Sequence, residues 1–103
     1  MAIAQRGEID AAIGGETLTL CLTLGALAEL ESRLQTGDLV GLAERFASGR
    51  VSARDLTAIL GAGLRGGGNA VSDDDLARLS IECGLKGAAE IAVRLLKATF
   101  GDA

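Results

Sequence analysis

The chain has 103 residues, 49% of them hydrophobic, and 23% charged with a formal net charge of −4. That length and balance describe one globular domain over residues 1–103, with no room for a second independent core. The ten Lys and Arg are scattered, so the basic cluster that nucleic-acid binding needs is missing. No apolar run is long enough to span a bilayer, and "MAIAQRGEID" lacks the basic start and apolar stretch of a signal peptide. A cytoplasmic location with no membrane and no nucleic-acid partner is the expectation.

Residues 7–22, "GEIDAAIGGETLTLCL", predict a β-hairpin. Ile9, Ala11 and Ile13 alternate on one arm, and Leu18, Leu20 and Leu22 on the other. Gly14-Gly15 between them suits a two-residue type I′ turn. A lone hairpin is unstable in water, so something must cover its oily face.

Helices supply the cover, over residues 23–101. Residues 24–34 place Leu24, Leu27, Leu30 or Glu31, and Leu34 near one stripe, with Thr23 as N-cap and Gly37 as the stop. Asp38 then caps a shorter helix with Leu39, Leu42, Ala43 and Phe46 at helical spacing, ended by Gly49. The next two starts are nearly one word, "VSARDL" at Val51–Leu56 and "VSDDDL" at Val71–Leu76. Each has a Ser N-cap followed three residues on by Asp, a short capping box, with a Val/Leu hydrophobic staple. Leu56, Ile59, Leu60, Gly63 and Leu64 form a stripe after the first; Leu76, Leu79 and Cys83, ending at Gly84, follow the second. The last helix is expected from about Lys86 to Phe100, with Leu85, Ala88, Ile91 or Ala92, Leu95 and Thr99 inward and a Glu90–Arg94 pair outward. The fold class is α+β, an N-terminal β-hairpin packed against four or five short α-helices.

"GAGLRGGGN" contains Gly61, Gly63 and Gly66 at the G-x-G-x-x-G spacing of a dinucleotide cradle. That cradle works only where the glycines follow a strand and open a helix. Here they lie inside and at the end of the helix that begins at Ser52, where the dipole is negative. Close helix packing at Gly61 and Gly63 and a flexible connection over Gly66–Asn69 are the expectations. Asp73, Asp74 and Asp75 sit in a helix's first turn, where acids complement the dipole; the spread-out ligands of a calcium loop are missing. The chain has no histidine, tyrosine or tryptophan, which removes Ser-His-Asp and Cys-His catalysis and His-containing zinc sites. Cys21 and Cys83 read as buried thiols. No catalytic, cofactor or metal site is predicted. What remains is a surface for a partner helix.

Three stretches then bear on identity: "RGEIDAAIGGETLTLCLTLGALAELE", "GDLVGLAERFASGRVSARDLTAILGAGLRGGG" and "VSDDDLARL". Together they resemble the small tail proteins of the gene transfer agent family, encoded in phage-like particle clusters of alphaproteobacteria. The likeness runs from Arg6 to Gly101, and "LTLGALAELE" and "LGAGLRGGG" are its most specific parts. The resemblance implies a non-enzymatic role in building a phage-like tail. The expected function is a tail assembly chaperone that binds the tape-measure protein and brings tail tube protein to it; the alternative is a structural tube component. A homo-oligomer is also compatible, as is a place in the particle itself. A small nucleotide-binding module rests on the glycine run alone. A partner groove is expected between the hairpin and the first and last helices, with Leu24, Leu27, Leu34, Ile91, Leu95 and Phe100 as its residues.

Overall fold

A computed structural model of the chain describes residues 7–33, 39–50, 52–79 and 84–101. Strands β1 (Glu8–Ile13) and β2 (Glu16–Cys21) pair antiparallel, with Ile9 opposite Leu20 and Ala11 opposite Leu18. Gly14 and Gly15 join them at φ +65° and +83°, the two positive values that a type I′ turn demands. Ile9, Ala11, Ile13 and Leu20 are buried on the inward face, and Leu22 extends it. On the outward face Thr19 Oγ1 donates to Asp10 Oδ1 at 2.9 Å, a cross-strand pair of the kind that fixes register.

Helix α1 (Leu24–Arg33) begins as its sequence requires, with the Ala26 amide donating to Thr23 Oγ1 at 3.1 Å. Its buried face is not the leucine stripe, however. Ala26 and Leu30 are buried, Leu27 packs against the core from its edge, and Leu24 is 86% exposed. The helix is rotated because its smallest inward residue meets a glycine: a Cβ built on Gly66 would lie 3.3 Å from that of Ala26. Leu34, Gly37 and Asp38 lie outside the described residues. Helix α2 (Leu39–Ala47) buries Leu42 and Phe46, and Gly49 follows it at φ +83°.

Helix α3 (Ala53–Gly66) is the centre of the molecule, in contact with β2, α1, α4 and α5. The expected stripe is there, but Ala58, Gly61 and Ala62 are buried as well. Over residues 58–64 the helix is buried on every side, and its neighbours close around that stretch. Val51 lies outside the described residues. Helix α4 (Asp73–Arg78) is one and a half turns long, and α5 (Gly84–Phe100) completes the fold. Gly84, expected to end a helix, opens α5 instead, at φ +57°. Leu85, expected inward, is 56% exposed; Ala88, Ile91, Ala92, Leu95 and Leu96 make the buried face. Cys83 lies outside the described residues.

The two similar starts diverge in chemistry. At α4 the box is complete: Asp75 N donates to Ser72 Oγ (3.0 Å), and Ser72 N donates to Asp75 Oδ2 (3.2 Å). At α3 Ser52 Oγ accepts from Asp55 N (3.1 Å), but the Asp55 carboxylate turns to Arg45 of α2 at 3.0 Å. One half of the second box has become a tie between helices. Ser72→Ala should therefore cost about 1 kcal/mol, the usual value of an N-cap, read as a lowered urea midpoint with an unchanged slope.

Candidate interaction surfaces

Among the described residues no polar or charged side chain is buried, so whatever this domain recognises, it recognises at its surface. The glycine run comes first. At the end of α3 the Gly68 amide donates to Arg65 O (3.1 Å) and the Asn69 amide to Leu64 O (2.9 Å), with Gly68 at φ +96°. This is a Schellman motif, which satisfies the carbonyls at a helix C-terminus. Its polarity is opposite to that of a phosphate cradle.

The run is also not a loose tether, contrary to the expectation for Gly66–Asn69. A Cβ on Gly66 would overlap the Cys21 carbonyl oxygen, and one on Gly67 the Thr19 carbonyl oxygen. Only glycine lets the end of α3 lie this close to the backbone of β2. Asn69 Nδ2 then donates to both Thr19 O (2.7 Å) and Leu64 O (3.2 Å), bolting strand to helix. Within α3, a Cβ on Gly63 would lie 2.6 Å from Leu95 Cδ2, so the close-packing reading of that glycine holds. Asn69→Ala should cost about 1–3 kcal/mol, because it strands a half-buried carbonyl; urea unfolding measures it.

An ionic cluster joins α1, α3 and α4. Arg65 donates to Val71 O (2.9 Å), Asp73 Oδ1 (3.1 Å) and Glu29 Oε1 (2.5 Å). Arg33 pairs with Asp73 and lies 3.8 Å from Glu29. The aspartate triplet is thereby accounted for at two positions: Asp73 binds arginines, and Asp75 closes the capping box. A cleft of about 400 Å³ beside the cluster is lined by Arg33, Arg54, Asp55 and Asp73 among others. It carries both signs of charge, and its pairs are partly exposed, where each is worth little.

The hairpin's two outer edges differ in what meets them. Along β2, the α3 terminus and Asn69 occupy the Thr19 and Cys21 carbonyls, as above. Along β1, Arg94 Nη2 donates to the Asp10 carbonyl at 2.9 Å, where the sequence suggested a pair with Glu90. Glu8 stands opposite Cys21 in the register. Burial pushes the half-buried Cys21 thiol above its ordinary value of 9.0, and the Glu8 carboxylate adds to the shift. The neutral thiol's contribution to stability is thus intact below about pH 9 and is lost as pH climbs through the raised value. Alkylation of Cys21 by iodoacetamide should be slower at neutral pH than for an exposed thiol, and Glu8→Gln should speed it.

Among the described residues expected to line a partner groove, Leu24, Leu27, Ile91, Leu95 and Phe100 differ in burial; Leu34 lies outside the described residues. Ile91 and Leu95 are core, the latter wholly buried, because the hairpin and α3 sit directly on that face of α5. Leu27 is at the core's edge. Leu24 and Phe100 are exposed, the latter by 48%. Where the hairpin meets α5, the foreseen space is taken up by core side chains. An open apolar trough lies elsewhere, between α2 and α5. It measures about 520 Å³ and is lined by Phe46, Lys86, Ala89, Glu90, Val93 and Arg94. Its signal in the sequence is Ala89 and Val93 one turn apart, each followed by a charged residue, Glu90 and Arg94.

These features define a class: a small α+β domain, an N-terminal hairpin packed against helices. The family model described as phage tail tube protein, GTA-gp10, matches residues 6–102, and the chain belongs to that family. No curated protein and no solved structure matches it.

Proposed function

We propose that this protein is a non-enzymatic structural component of the tail of a phage-like particle, joining the tube through its helical surfaces. The observation that carries the reading is membership of a tail tube family over residues 6–102. The fold supports a manner of joining. A tube built by sheet closure needs strands with open edges, whereas here a side chain of α5 and one of the α3–α4 link each bond to an outward carbonyl, Asp10 O on β1 and Thr19 O on β2. Contacts between subunits then fall to helices. That no helix among the described residues is long and apolar enough to cross a membrane is compatible with this role.

A second reading has its own support. A two-stranded hairpin among the described residues is little sheet for a tube wall, which favours a chaperone that holds the tape-measure protein and delivers tube subunits. Quantitative mass spectrometry of purified particles separates the two. A tail component is present in many copies per particle, in fixed ratio to the tape measure; a chaperone is found with the tape measure in lysate and is lost from finished particles.

A further inference from the structure

We propose that the trough between α2 and α5 is a docking site for an amphipathic helix of another protein, one whose apolar stripe is flanked by acidic residues. The floor is apolar: Phe46 is buried beneath it, and Ala89 and Val93 are half-buried along it. The rim is charged, and its charge is distinctive. Helix α5 carries Lys86, Arg94 and Lys97 against Glu90 alone, so it is net positive in a chain whose total is −4.

On α1 to α3 three arginines are matched by carboxylates. The five ion pairs among the described residues join Arg33, Arg45 and Arg65 to Glu29, Asp55 and Asp73, all on α1 to α4. None involves a residue of α5. At 100° per residue Lys86, Ala89, Val93 and Lys97 fall on one stripe, about three turns long at 1.5 Å per residue. Two apolar residues a turn apart over buried Phe46, with a lysine beyond each end, are complementary to a helix bearing Leu or Ala inward and Glu or Asp beside them.

The alternatives to a protein helix fit less well. Nucleic acid and an anionic lipid surface would both meet a chain that is acidic overall. The inference extends the tail reading by naming the chemistry of one contact, and its test does not depend on where the protein ends up.

The probe is a pair of synthetic 20-residue helical peptides with Leu at i, i+3, i+4 and i+7. One is flanked by Glu, the other by Lys. Each is titrated into the full, isotope-labelled chain and followed by amide chemical shifts. The Glu peptide should perturb Phe46 and residues 86–97, with at least tenfold higher affinity than the Lys peptide. Lys86→Glu/Lys97→Glu, both at exposed sites, should keep the circular dichroism spectrum and reverse the order of the two peptides. Equal affinity for both peptides, or shifts centred elsewhere, overturns the proposal. So does tighter binding to phosphatidylserine vesicles, to an oligonucleotide or to a second copy of the chain than to the Glu peptide.

Discussion

Gly67→Ala should lower the thermal midpoint by roughly 10–20 °C. The added methyl has no space, since it would coincide with the Thr19 carbonyl oxygen. That oxygen belongs to strand backbone and also accepts the Asn69 amide at 2.7 Å, so moving it breaks a second contact. Overpacking of this kind costs about 1–3 kcal/mol, occasionally more. In a domain of this size each kcal/mol is worth about 4–8 °C. Gly66→Ala meets the Cys21 carbonyl in the same way, eased by the roughly 1 kcal/mol that alanine gains over glycine inside a helix. Gly68→Ala is the comparison. It has positive φ but open space around it, so it should lose only the 1–2 kcal/mol of left-handed strain. Equal losses at Gly67 and Gly68 would mean that the α3 terminus does not press on β2.

Leu95→Ala should be the more damaging of two leucine truncations by a wide margin. Leu95 is wholly buried, and its methyl sits where a Gly63 side chain would be. Deleting it leaves a cavity against α3, at a cost of about 2–5 kcal/mol. Leu24→Ala removes a side chain that is 86% exposed, and a change within about 0.5 kcal/mol is expected. Urea denaturation of the two variants side by side gives both values. The contrast also guards against a misreading of partner assays: a Leu95→Asp protein that fails to bind has failed to fold, because an unpaired carboxylate has entered the core.

What could be read from the chain depended on how local the cause was. The hairpin was legible because its determinants are two glycines and an alternation, all within sixteen residues. The starts of α3 and α4 were legible because at each a serine side chain accepts the backbone amide of an aspartate three residues on. The face of α1 was not, because Ala26 turns inward to meet Gly66, forty residues away. The run Gly66–Asn69 likewise reads as slack in one dimension and as a close strand–helix contact in three. The trough between α2 and α5 was illegible for the same reason: periodicity marks Ala89 and Val93 only as small and apolar, and packing alone leaves them half-buried beside the core.

The central claim, a structural place in a phage-like tail, is tested most directly by electron cryomicroscopy of purified particles. A hairpin backed by five helices should be found repeating along the tail, with helix-to-helix contacts between copies and the Arg94–Asp10 and Asn69–Thr19 bonds at the strand edges still in place. A tail whose whole density is accounted for by other chains, while this protein is recovered only from lysate on the tape measure, would contradict it.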